Sequence, residues 1–170
     1  MKIEKCEIED VLLYEMETFP DTRGSFFELF RREWLPEIFG EKIQINCSHS
    51  NSGVLRGLHY HKNQWDFWVP LNGRMTAGLA DLRAASKTRH KSLSLELDSE
   101  TPRGLLIPPG VAHGFAAITD LTLVYVVSNY FDGSDEHGVA WNDPGLSIDW
   151  KVGDPVISER DRHNRSFNRD

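Results

Sequence analysis

Apolar positions along this chain fall in short runs broken by turn residues, and almost nowhere at the spacing of an amphipathic helix. The pattern is one of strands. IEDVLLYEMETFPDTRGSFFELFRREWL reads as a strand, a turn over Pro20 to Gly24 and an aromatic strand, followed by one short helix near Arg32 to Phe39. IQINCSHSNSGVLRGLHYH alternates polar with other residues before it reaches two histidines. DFWVPLNGRMTAGLADL reads as a hairpin with Asn72-Gly73 as its turn. LELDSETPRGLLIPPGVAHGFAAI and DLTLVYVVSNYF supply further strands, and the basic segment from Arg83 to Lys91 reads as a solvated loop. Many short strands at this spacing predict an all-β double-sheet jelly roll with a few short helices. The chain from about Gly133, rich in Gly, Asp, Trp and Pro, is expected to wrap the barrel or a partner subunit.

Composition narrows the class. With 170 residues, 39% hydrophobic and 26% charged, the chain suits one globular domain, residues 1–170, with a substantial core. It has no apolar run long enough for a membrane span, and MKIEKCEIED has no signal-peptide segment, so a cytoplasmic protein with no membrane partner is expected. Cys6 and Cys47 lack a CxxC spacing and read as buried free thiols. A net charge of -7 argues against a nucleic-acid partner, while leaving room for a local arginine pocket that holds a phosphorylated small molecule.

The candidate chemistry lies in the histidines. His59 and His61 are two residues apart on a strand pattern, which points both to one face, and His113 follows a Pro-Pro-Gly turn. Imidazoles converging inside a small barrel make either a metal cage or a base with polar neighbours. Gln44, Asn46, Ser48 and Ser50 recur at period two and give one polar face, towards the barrel lumen or towards solvent at an edge.

Taken in order, DTRGSFFELF, GVLRGLHYH, IPPGVAHGF, EHGVAWNDPGLSIDW and ISERD resemble the dTDP-4-dehydrorhamnose 3,5-epimerase family over about residues 10 to 161. That resemblance implies a homodimeric cupin-like barrel, with no metal or organic cofactor, that epimerises a small-molecule sugar nucleotide, an NDP 4-keto-6-deoxy sugar. It implies that His59 is the base and Asp161 the carboxylate orienting it. Arg23 and Arg56 would hold the diphosphate, and Phe26, Phe27 and Glu28 the nucleotide base in the dimer. Gln44, Asn46 and His113 would complete the substrate site. Strict alternation sets Arg56 and His59 on opposite strand faces, so their cooperation requires a bulge at Gly57.

Two positions depart from the family pattern. Asp66 falls where the family has a lysine that steadies the enolate, unless Lys62 reaches inward instead, and Phe131 falls where it has a proton-donating tyrosine. Tyr130 is the neighbouring candidate acid. Gly53, His59, His61, Asp66 and Gly73, with Pro108, Gly110 and His113, also fit the two metal-cupin motifs, making His59, His61, Asp66 and His113 an alternative metal set. The His59-Tyr60-His61-Lys62 run is similar to that of sugar-nucleotide 3,4-ketoisomerases, and a weakened member that binds without turnover is a further alternative.

Overall fold

The computed structural model describes residues 2–167; Met1 and residues 168–170 lie outside the described residues. In chain order the strands are β1 (Lys2–Lys5), β2 (Leu12–Glu15), β3 (Thr18–Asp21), β4 (Gly24–Phe27), β5 (Gln44–Ser50), β6 (Leu55–Tyr60), β7 (Asp66–Asn72), β8 (Arg74–Asp81), β9 (Ser92–Asp98), β10 (Arg103–Ile107), β11 (Val111–Ala117), β12 (Leu121–Val127) and β13 (His137–Gly138). A six-stranded sheet, β1-β2-β10-β7-β12-β5, faces a five-stranded one, β13-β6-β11-β8-β9, and β3-β4 forms a separate hairpin. This is the expected all-β double-sheet jelly roll. Among the described residues its helices are one short α1 (Glu159–Arg162) and two 3-10 turns.

Apolar side chains settle into three layers, which explains why central strands read as nearly unbroken apolar runs. Between the sheets pack Leu13, Trp68, Leu105, Ile107 and Leu123 against Met75, Leu79, Leu97 and Phe115. The outer face of the six-stranded sheet, with Tyr14, Phe67, Val69 and Val126, is covered by Leu35, Phe39 and Phe30. The outer face of the five-stranded sheet, with Leu55, Leu58, Ala112 and Ala116, is covered by Val139, Leu146 and Trp150 from the C-terminal segment. Strands β7 and β11 therefore bury both faces.

Four local expectations are corrected. Asn72-Gly73 does not close a hairpin: β7 pairs with β10 and β12, while β8 pairs with β11 and β9. Gly73, at φ +84, instead turns the chain from one sheet to the other, with Asp120 O so close that a Cβ would sit 2.1 Å from it. The helix expected near Arg32 to Phe39 shrinks to a 3-10 turn over Arg32–Trp34. Pro36 disfavours helical geometry at Leu35, which adopts φ -142 and ψ 53. Cys47 is exposed on the outward face of β5 and Cys6 only half-buried, although both are free thiols. The segment from Arg83 to Lys91 is no solvated loop throughout. Arg83 is folded over Asp81 and also reaches Glu9 O at 2.6 Å and Asp10 at 3.1 Å.

Asp81 is fully buried and accepts hydrogen bonds from Arg83 Nε and Nη2, each at 2.9 Å, from Ser86 Oγ at 2.6 Å and from Thr88 Oγ1 at 2.7 Å. Burial pushes its pKa up, but the bonds from Arg83, Ser86 and Thr88 outweigh burial and hold the carboxyl at about 2. Because that value lies below the ordinary 3.8, folding favours the ionised form. Its stabilisation, about 2 kcal/mol, is complete above pH 4 and is lost as pH falls through 2. Asp81→Asn should lower stability at pH 7 and flatten the acid limb of a urea-denaturation series between pH 4 and 2. An unchanged slope there would show that other carboxylates govern acid unfolding.

Candidate active site

Strand β6 carries one more residue than its partner at the place that matters. In the β6-β11 ladder His59 faces His113 and Arg56 faces Phe115, so Gly57 and Leu58 together oppose the single Gly114. Gly57 has φ +132, and a Cβ there would lie 2.7 Å from Gly114 Cα. The inserted residue reverses the alternation, and Arg56 and His59 both line a cavity of about 880 Å³. Gln44, Asn46 and Ser48 of β5 line the same cavity, while Ser50 Oγ accepts Arg56 Nε at 3.0 Å. The polar face of β5 is thus turned to the lumen.

The C-terminal segment returns alongside β6 through the bridge between Val54 and Val156 and ends in α1, capped by Ser158. This brings Asp161 to His59 across 102 positions of sequence: His59 Nε2 donates to Asp161 Oδ1 at 2.6 Å. The Gly57 N–H donates to Oδ2 at 3.2 Å, and the Asp161 N–H to Ser158 Oγ at 3.1 Å. Asp161 is buried, and burial raises its pKa, yet the bonds from His59 and Gly57 and the His59 charge bring it below its ordinary value. With Nε2 committed to a carboxylate, the neutral His59 ring carries its lone pair on Nδ1, which no described residue engages. The pair is therefore suited to accept a proton, with Asp161 stabilising the imidazolium that results.

A second cluster lies beside the first. His113 is buried, packs edge-on to Trp68 with ring centroids 5.2 Å apart, and donates from Nδ1 to Val111 O at 2.9 Å. Burial, assisted by the nearby His61 and His59 and opposed by Asp66, lowers its pKa to about 4, so the ring is neutral at pH 7. His61 donates from Nδ1 to Asp135 O at 2.8 Å. Asp66 is buried and accepts from Gln64 Nε2 at 3.2 Å and Trp68 Nε1 at 3.4 Å. One ligand atom from each of His61, Asp66 and His113 lies within 4.8 Å of the other two. Of the four residues in the alternative metal set, His59 stands apart, bonded to Asp161.

At the cavity mouth, Tyr130 and Phe131 both line the wall. Strand β12 ends at Val127, so strict alternation no longer separates the two, and the Phe131 N–H donates to Gln44 Oε1 at 2.9 Å. Arg56 lines the cavity with its guanidinium bonded only to Ser50 and to His49 O, among the described residues. Lys62 is not on the wall. Neither are Arg23, Phe26 and Glu28, which sit on or beside the β3-β4 hairpin: Arg23 bonds Asp21, Glu28 pairs with Arg31, and Phe26 is 62% exposed. Sequence reasoning missed Lys42, Arg160 and Tyr125 on the wall. Lys42 continues the period-two series of Gln44, Asn46 and Ser48, a signal that could have found it. Arg160, paired with Glu136 at 2.6 Å, carries no such signal.

Residues 5–169 match the model of a protein family described as dTDP-4-dehydrorhamnose 3,5-epimerase. A protein of that name from Shigella flexneri is 36% identical over 98% of this chain and 96% of its own length. The crystal structure of dTDP-4-dehydrorhamnose 3,5-epimerase from Elizabethkingia anophelis NUHP1 superposes with a TM-score of 0.89 at 35% identity, covering 98% of this chain and 96% of that one. A Legionella pneumophila dTDP-6-deoxy-D-glucose-3,5-epimerase, solved in complex with dTDP-4-keto-L-rhamnose, has a TM-score of 0.89 at 31% identity, covering 97% and 92%.

The bulge predicts its own test. Gly57→Ala places a Cβ against Gly114 Cα and His113 O in a backbone region that side chains avoid, at a cost of order 1–3 kcal/mol. The variant should melt several degrees lower. A midpoint equal to wild type would mean that the bulge tolerates a side chain and is not held by this glycine.

Proposed function

This chain belongs to the dTDP-4-dehydrorhamnose 3,5-epimerase family, and from that premise we propose that it epimerises a nucleoside-diphosphate 4-keto-6-deoxy sugar, with dTDP as the nucleotide, at C3 or at both C3 and C5. The observation that carries this reading is the bond between His59 and the buried Asp161 on the wall of a cavity large enough for a sugar nucleotide.

A C–H next to a ketone is weakly acidic, so its removal needs a positioned base and stabilisation of the enolate oxygen. His59 Nδ1 takes the proton from C3, the C–H electrons move into the C3–C4 bond, and the ketone oxygen becomes an enolate. Asp161 stabilises the imidazolium. A proton delivered to the opposite face of C3, by Tyr130 or by a water it orients, restores the ketone with inverted configuration. His59 then returns its proton to solvent and the donor on the opposite face takes one back from solvent, so no proton is gained or lost overall.

Arg56 has no carboxylate partner among the described residues and offers a guanidinium fork to the diphosphate, with Lys42 adding charge nearby. Gln44, Asn46 and His113 supply polar contacts to the sugar. Arg23, Phe26 and Glu28 suit a different task. Projecting with the β3-β4 hairpin and its exposed Phe19 and Phe26, away from the cavity of their own chain, they suit a homodimer in which the arm covers the partner's nucleotide. No helix among the described residues is long and apolar enough to cross a membrane, and a soluble sugar-nucleotide substrate is consistent with a cytoplasmic location.

His59→Asn should abolish solvent deuterium exchange at sugar C3 while dTDP still raises the thermal midpoint, whereas Arg56→Ala should remove most of that rise. Exchange at the wild-type rate in His59→Asn would identify another group as the base. Failure of millimolar dTDP to shift the wild-type midpoint would remove the sugar-nucleotide reading.

Phe131 has no proton to give, so exchange should outrun inversion, general acid catalysis being worth ~10²- to 10⁴-fold. Phe131→Tyr should raise inversion relative to exchange on dTDP-4-keto-6-deoxyglucose, and Tyr130→Phe should lower it. Equal ratios in all three proteins would show that neither position supplies the acid.

A further inference from the structure

At the position where the family pattern has a lysine that would steady an enolate, this cavity holds the carboxyl group of Asp66. Asp66 is 3% exposed, and no described lysine or arginine pairs with it; its partners are a side-chain amide and an indole N–H at 3.2 and 3.4 Å. A buried carboxylate so weakly satisfied is costly unless a cation joins it.

Two imidazoles next to it are arranged to share one. His113 and His61 each donate from Nδ1 to a backbone carbonyl, Val111 O and Asp135 O, which can only accept. Each neutral ring therefore holds its lone pair on Nε2, and no described residue engages either Nε2 atom. Anchoring of the far ring nitrogen is what orients imidazoles that bind metals. The rings sit side by side, centroids 5.7 Å apart.

We propose that His61, Asp66 and His113 form a site for one divalent transition metal ion of the Mn²⁺, Fe²⁺, Co²⁺ or Zn²⁺ class on the wall of the sugar cavity. Two imidazoles and a carboxylate are the donor set such ions prefer over Mg²⁺ or Ca²⁺, and the cavity leaves the remaining positions open to water or substrate. Ligand atoms bound at 2.0–2.2 Å to one ion lie about 3 Å apart. From a spread of up to 4.8 Å, the three ligand atoms must therefore draw together by as much as about 2 Å on binding. His59 is not a ligand, because Asp161 holds it at 2.6 Å. The role in turnover rests on the epimerase reading: an ion there supplies positive charge to the developing enolate oxygen while His59 removes the proton. The site itself does not depend on that reading.

The test uses the full-length protein, stripped with EDTA and titrated with Co²⁺ and separately with Mn²⁺, with metal content by mass spectrometry and Co²⁺ coordination by visible absorption. Wild type should bind one equivalent per chain with d–d bands of a nitrogen and oxygen site. Asp66→Asn and His61→Gln should each weaken binding at least tenfold, and His59→Asn should leave it unchanged. His61 is only half-buried, so its variant carries the test if Asp66→Asn does not fold. Absence of binding below millimolar metal would overturn the site. So would wild-type affinity in both ligand variants, or an equal loss in His59→Asn. Stabilisation of the stripped protein by dTDP is read in parallel. If dTDP stabilises and no metal binds, the metal site falls and the epimerase reading stands; metal binding without a dTDP effect gives the reverse.

Discussion

The site depends on a mismatch of one residue between two strands. Because Gly57 and Leu58 share a single partner, Gly114, side chains on either side of them fall on one face, and Arg56 and His59 enter the same cavity. The same Gly57 donates its N–H to Asp161, the carboxylate that orients His59. One irregular position thus sets the direction of the basic ring and fixes its partner. A regular ladder would turn either the guanidinium or the imidazole out of the cavity, and no substitution on the strand could restore both.

The layers around that ladder explain why the site is held firmly. Strand β6 bears Leu55 and Leu58, whose buried side chains are covered by Val139, Leu146 and Trp150. The segment that supplies this cover continues to the short helix bearing Asp161, so the apolar packing that closes the sheet also delivers the carboxylate. The indole N–H of Trp150 donates to Trp141 O at 2.8 Å, so this ring is buried with its own donor paired.

Three of the four buried aspartates among the described residues show three solutions to one electrostatic problem. Asp81 is ringed by a guanidinium and two hydroxyls and belongs to stability. Asp161 accepts from an imidazole and from the Gly57 N–H, which with the His59 charge hold its carboxyl below the ordinary value despite burial. Asp66 has only weak neutral donors and two unoccupied imidazole nitrogens close by. A carboxylate so poorly satisfied on the wall of a cavity is the least explained by folding alone.

Much of this was legible in the sequence. The family resemblance put Arg56 and His59 in one site and so demanded a bulge at Gly57; short apolar runs and turn residues determined strands and a two-sheet barrel, and period-two polarity along β5 marked one polar face. These are local properties of consecutive residues, governed by backbone sterics and side-chain alternation. The tertiary structure alone decided which strand pairs with which. Asn72-Gly73 has the chemistry of a hairpin turn, but β7 and β8 each find better-buried partners in different sheets, and the turn becomes a corner. Pro36 ended a helix that the surrounding pattern allowed. His59 fits a metal motif as well as His61 does, yet Asp161, distant in sequence, claims it. Such choices are made by burial and by partners many residues away, which no window of sequence contains.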